Sequence, residues 1–173
     1  MDSAEDRRKE LQDLLDGFDS GRIPMMEFMR SANGLRDVYA TEGAIGRAVI
    51  ASFGRHTQGR DLMACLLEIF GFRVDKVEMD ITLDDLVARC AEPDVNVLCI
   101  SVQTTYDCPE ILDVSAMLVD AGIRDRIVLN IGGSPITEGV AERAGCDVFS
   151  ERAIESAHLI REEVIGRHLE HPL

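Results

Sequence analysis

Apolar residues fall along this chain in two rhythms, and the rhythm changes near residue 46. Before that point Leu11, Leu14, Leu15 and Phe18 share one helical face, and Met25, Phe28, Met29, Ala32, Leu35 and Tyr39 stripe a second helix. Ile23 and Pro24 separate the two, because proline suits the first turn of a helix and not its interior. Beyond residue 46, short unbroken apolar runs alternate with helical stripes. The runs predict strands over 47–53, 72–79, 95–101, 126–131 and 147–149. The stripes predict helices over 58–70, 83–91, 109–121, 136–144 and 154–168. Gly71, Gly122 and Gly145 each follow a helix, as C-terminal caps do. Thr82 precedes Leu83 and the acids Asp84 and Asp85, the marks of a helix start.

Strands alternating with helices imply parallel pairing and right-handed crossovers, hence an α/β fold built on a doubly wound sheet of five strands. The expected order is the flavodoxin-like 2-1-3-4-5, which puts the switch point between the first and third strands. Ligands bind such sheets outside the carboxyl ends at the switch, here at the loops 54–59 and 102–108. The chain divides into a helical segment over 1–43 and an α/β domain over 44–173. Two short helices cannot form a core of their own, so the first segment packs on the sheet or on a partner. Pairing with a second copy would complete four helices and give a homodimer.

Composition narrows the function. A chain of 173 residues buries one principal core, and 46% apolar with 29% charged content is ordinary for a soluble globular protein. The formal charge of −14 argues against a nucleic-acid binder or a protein of anionic membrane surfaces. No apolar run approaches bilayer length, and the acidic start from Met1 to Asp6 is no signal peptide. Cys65, Cys90, Cys99, Cys108 and Cys146 are odd in number and scattered, which suits a reducing cytoplasm better than disulfides or a zinc site. Cys65 and Cys99 fall in apolar patterns as packing residues, whereas Cys108 falls in a loop where it could face a ligand.

The chemistry gathers in three loops. The first, after strand one, reads Gly54, Arg55, His56, Thr57, Gln58, Gly59. A neutral imidazole at the carboxyl edge of an α/β sheet is a good transition-metal ligand, although a lone loop histidine is more often only solvated. The second loop opens with Ser101, Val102 and Gln103 and continues through Thr105; the third carries Gly132 and Gly133. In this order the loops resemble the cobalamin-binding domains of corrinoid methyl-carrier proteins and of methionine synthase. That family has Asp-x-His-x-x-Gly after strand one, Ser-x-Leu at the end of strand three and Gly-Gly after strand four. The segment from Gly145 to Phe149 is similar to its Gly-Ala-Asp ending, and Gly21 to Glu27 to the entry of its helical cap. The resemblance covers about residues 18–165.

It implies a cobalamin whose cobalt is bound from below by His56, in place of the cofactor's own benzimidazole. The displaced nucleotide tail then needs a deep slot beside the sheet. The implied cofactor-binding residues are Gly54, Arg55, Thr57, Gln58, Gly59, Ser101, Gln103, Thr105, Gly132, Gly133 and Phe149. Glycines at 132 and 133 would let the heterocycle approach the backbone, and the hydroxyls of Ser101 and Thr105 can bond the tail or the loop. Gly59 would permit close packing as the loop enters its helix, whose amino end suits a phosphate. The organic reactivity belongs to the cofactor, so no catalytic residue is expected in this chain.

The implied function is a cytoplasmic methyl carrier between partner methyltransferases. Two other readings stay open. One is a degenerate cobalamin module acting as sensor, cofactor chaperone or assembly subunit. The other is the small subunit of an adenosylcobalamin isomerase, against which the cap-like segment speaks. Three departures from the family bear on the choice. Gly54 replaces the aspartate that receives the imidazole's second N–H, and Arg55 has no acceptor with which to substitute. Gln103 stands where an apolar residue is usual, and the cap is about half its usual length.

Overall fold

The computed structural model describes residues 3–36, 38, 44–79, 81–104 and 111–170. Thr105, Cys108, the Tyr39 end of the second stripe and the start of the expected 109–121 helix lie outside them. Two helices lead, α1 (Ala4–Asp19) and α2 (Met25–Ala32). The α1 start is closed by a capping box: the Asp6 N–H donates to Ser3 Oγ at 3.1 Å, and the Ser3 N–H donates to the Asp6 carboxylate at 3.0 Å. The alternating part follows as β1 (Gly46–Phe53), α3 (Gln58–Ile69), β2 (Phe72–Lys76), α4 (Leu83–Cys90) and β3 (Val95–Val102). It ends with α5 (Val114–Asp120), β4 (Val128–Gly132), α6 (Glu138–Arg143) and α7 (Ala153–Glu170). Thr82 caps α4 by accepting the Asp85 N–H at 3.1 Å, as its sequence position implies.

The sheet is parallel throughout, in the order β2-β1-β3-β4. It has four strands and not the expected five. The 147–149 run does lie beside β4, but it contributes a single bridge, Asn130 to Val148. The Leu129 carbonyl accepts the backbone N–H groups of Asp147 at 2.9 Å and Val148 at 3.4 Å, and side-chain bonds supply the rest of the tether. The Asp147 carboxylate accepts the Leu129 N–H at 2.8 Å and pairs with Arg124 and Arg167, each at 2.9 Å. The expected strand over 126–131 begins instead at Val128, behind a 3-10 turn at Arg124–Arg126. There the Arg126 guanidinium donates to the carbonyls of Cys90, Ala91, Glu92 and Val95, closing the carboxyl end of α4.

Each strand alternates its side chains between two apolar layers. Ala48, Ile50, Val97, Cys99 and Val128 point to the face covered by α3 and α7; Val49, Ala51, Leu98, Leu129 and Ile131 point to the face covered by α4, α5 and α6. The two leading helices complete the first layer. Leu11, Leu15, Phe28, Ala32 and Leu35 are buried in one cluster with residues of α3 and α7, and Phe18 stacks on Phe28 with ring centroids 4.6 Å apart. Asp19 pairs with Arg152 at the start of α7, and Arg36 pairs with Glu68 of α3. The helical segment thus packs on the sheet domain of its own chain.

Cys65 and Cys99, read as packing residues, are buried in the core as expected. Burial pushes the thiol of Cys65 up, that of Cys90 to about 12 and that of Cys146 to about 11; Cys99 is raised as well, for the same reason. Their reactive thiolate forms are correspondingly disfavoured. No helix among the described residues is long and apolar enough to cross a membrane.

Candidate cofactor site

Register and side-chain alternation bring the polar positions of three strands to one face. Ser52 of β1 pairs with Ser101 of β3, and Ser101 pairs with Gly132 of β4, so the three stand in a row near the carboxyl ends. All three fall on the α3/α7 face, as does Asn130 by its period of two from Gly132. A cavity of about 570 Å³ opens over this row. Ile50, Leu62, Met63, Ile136 and Phe149 supply apolar wall, while Ser101, Asn130, Ser134, Thr137, Ser150 and Ser156 supply hydroxyls and an amide. An apolar slot of this size with a few convergent polar groups is the usual form of a small-molecule site.

The two glycines of the third loop do different work. A Cβ on Gly132 would meet nothing within 4 Å, so the side chain it lacks is open space in the cavity wall. Gly133 has φ +122°, and a Cβ there would fall 1.8 Å from the Val102 carbonyl oxygen. Gly132 keeps the cavity open; Gly133 lets β3 and the turn approach each other. Gly59 is a third close approach, since a Cβ there would sit 2.4 Å from Ser101 Oγ. It allows the start of α3 to lie directly on β3.

The sequence-expected residues divide into two groups. Gly59, Ser101, Gly132, Gly133 and Phe149 line the cavity. Gly54, Arg55, His56, Thr57, Gln58 and Gln103 are absent from its wall and belong to the loop region ahead of Gly59. The slot is therefore not centred between the loops after β1 and β3. It runs from Gly59 and Ser101 to the turn after β4 and to the segment leading into α7. His56 is exposed, and its backbone is held firmly. Its N–H donates to Gln103 Oε1 at 2.9 Å, and its carbonyl accepts from Ser52 Oγ at 2.8 Å and from Gln103 Nε2.

Behind the loop, α3 is anchored by Arg60, which donates to the Val77 carbonyl at 2.7 Å. Burial pulls the Asp61 carboxyl upward, but bonds from Thr57 and Arg60 and the charges of Arg60 and Lys76 outweigh it and hold the group below its usual range. Among the described residues no group of three or more His, Cys, Asp or Glu side chains gathers as a metal cage would.

Several cavity residues escape the sequence reading. Asn130 is buried, donates to the Val148 carbonyl at 3.0 Å and lines the slot. Its signal is a carboxamide inside an apolar strand, a position that needs a reason. Ser134, Thr137, Ser150, Glu151 and Ser156 also line the cavity, and nothing in their spacing marks them.

Residues 46–158 match the family described as B12 binding domain. The chain belongs to that family, and cobalamin is the cofactor that membership brings. The residues present fit the group: the slot has a volume of about 570 Å³, its wall is open at Gly132, and hydroxyls line it.

Among curated proteins, the chain is 28% identical over 106 residues to trimethylamine corrinoid protein 2 of Methanosarcina acetivorans, a match covering 61% of this chain and 49% of that protein. It is 24% identical over 157 residues to dimethylamine corrinoid protein 3 of Methanosarcina mazei, covering 84% of this chain and 94% of that one. The chain thus spans about half the length of several curated relatives and nearly all of another. A cobalamin-binding protein of Desulfitobacterium hafniense superposes with TM-score 0.77 at 21% identity, over 91% of this chain and 81% of its own. The methanol:cobalamin methyltransferase complex of Methanosarcina barkeri gives 0.76 at 19% identity, over 90% of this chain and 64% of its own. Both share the fold.

Proposed function

We propose that this chain is a cytoplasmic corrinoid protein that carries a methyl group between partner methyltransferases. The observation that carries the reading is the slot on the α3/α7 face, open at Gly132 and walled by Ser101, Asn130 and Phe149, beside a loop that presents His56. When bound, the cobalamin supplies a cobalt centre able to take up a methyl group and release it. Everything else falls to the chain. Gly59, Ser101, Gly132, Gly133 and Phe149 receive the nucleotide tail, Asn130 and the hydroxyls of Ser134 and Thr137 offer it hydrogen bonds, and His56 offers an imidazole to the metal. Gly54, Arg55, Thr57, Gln58 and Gln103 shape the loop that carries the imidazole. The names of the methylamine corrinoid relatives favour a methylamine methyltransferase as partner. A homodimer through the leading helices draws less support, because their apolar stripes are already buried in this chain.

Equilibrium dialysis with hydroxocobalamin, followed by methyl transfer from a methylamine methyltransferase, tests the reading. Micromolar retention and methylation of the bound corrinoid are expected; no retained corrinoid would overturn it. One observation favours a second reading, a cobalamin module that does not transfer methyl groups. Gly54 leaves His56 without the family's carboxylate, and its φ of +114° disfavours restoring one. Retention of cobalamin with no methylation by any methylamine system would select that reading.

A further inference from the structure

The two loop residues that depart from the family pattern meet in space. A Cβ built on Gly54 would stand 3.0 Å from Gln103 Oε1 and 3.1 Å from Gln103 Cβ. Gln103 thus occupies the room where a side chain at 54 would begin. From there it forms a two-way pair with a single residue's backbone, accepting the His56 N–H at 2.9 Å and donating Nε2 to the His56 carbonyl. A carboxamide presents a donor and an acceptor side by side, which matches the polar groups of a backbone residue; leucine presents neither. Ser52, buried at the end of β1, adds its hydroxyl to the same carbonyl at 2.8 Å. The end of β1 and the residue just past β3 therefore grip the one residue whose imidazole is offered to the metal.

We propose that Gln103 is the positioning residue for His56 and that Gly54 is the vacancy that admits it. The proposal rests on the reading of His56 as the lower cobalt ligand. Where the family pattern supports the imidazole through an aspartate, this chain supports the backbone that carries it. The two departures are then one exchange. A side chain at 54 would both strain a left-handed backbone, φ +114°, and crowd Gln103 in its place against His56.

Wild type, Gln103→Leu, Gln103→Glu, Gly54→Ala and His56→Ala are compared by two readouts. In the protein without cofactor, NMR follows hydrogen exchange at the His56 amide. In protein loaded with cobalt(II) cobalamin, electron paramagnetic resonance with ¹⁵N-labelled histidine gives the fraction of cobalt bound by histidine. Gln103→Leu places the residue usual in the family, so it should fold. It is expected to speed exchange on the order of 10-fold, the loss of one hydrogen bond. It should also weaken histidine ligation about 10- to 100-fold, the effect typical of a lost supporting partner. Gln103→Glu keeps an acceptor but loses the donor and should fall between. Gly54→Ala should resemble Gln103→Leu, and the two changes together should fall short of their sum. Unchanged splitting in Gln103→Leu, with histidine ligation intact in wild type, overturns the positioning role and leaves the ligand reading standing. Faster exchange without a change in splitting overturns it too, since the clamp then serves only the loop. A wild-type spectrum identical to that of His56→Ala overturns both.

Discussion

Gly132 and Gly133 are neighbours in one motif, and a side chain would have opposite consequences at each. At 132 the added atoms would project into open cavity, and the backbone has no need of glycine there. Gly132→Leu is therefore expected to fold with a melting temperature within about 2 °C of wild type, a surface-like effect. It should lose cobalamin in equilibrium dialysis, because the leucine would fill the space proposed for the tail. Gly133→Leu would not separate binding from folding. Even alanine at 133 meets a backbone carbonyl at φ +122° and should destabilise by at least about 2 kcal/mol in urea titration. If Gly132→Leu retains cobalamin at wild-type affinity, the tail does not lie in this slot. A Gly-Gly pair was legible in the sequence; which glycine opens onto the cavity was not, because that depends on where the Val102 carbonyl comes to rest. The same holds for Gln103. It stands where an apolar residue is usual in the family, and its side chain bonds to His56 and does not line the slot.

At the scale of elements, the strongest signals lay in the buried parallel strands and the helices between them, where apolar runs and caps agree. β1 and β3 appear within one residue of their expected limits, and α3 and α4 begin where expected. The failures sit where polar side chains supplement or take over from backbone pairing. Periodicity carries no trace of Asp147 holding Leu129, or of Arg126 reaching across to the end of α4. The arginine makes a specific case. Its planar fork donates to four carbonyls at the helix end and the turn that follows. Arg126→Leu should lower stability by about 2 kcal/mol, read from urea unfolding, with little change in the slope. Arg126→Lys should recover less than half of the loss, because an ammonium cannot span the same fork. Full recovery by lysine would mean that charge at the helix end, and not the geometry of the fork, sets the effect.

For the whole molecule, the question is whether the leading helices form a separate cap or part of the main core. The change of rhythm near residue 46 divides the chain into 1–43 and 44–173, and that division is real in the sequence. Packing crosses it. Leu11 and Phe28 are completely buried, in the same cluster as Leu66 of α3 and Ile160 of α7. Two ion pairs, Asp19 with Arg152 and Arg36 with Glu68, close the seam at its edges. Exposed pairs of this kind contribute little, so the apolar contact is what joins the parts. The sequence could show that these stripes needed a surface, but not whether that surface lay in this chain or in another. Phe28→Ala decides between a joined core and an independent cap. Removing a fully buried phenylalanine from a joined core costs about 3–5 kcal/mol. For a chain of this size the single melting transition should then fall by roughly 10 °C, with helicity and tertiary signals moving together. An independent cap would behave differently: α1 and α2 would melt early in a separate step, and the main transition would stay where it is. That outcome would make the helices a unit detachable from the sheet.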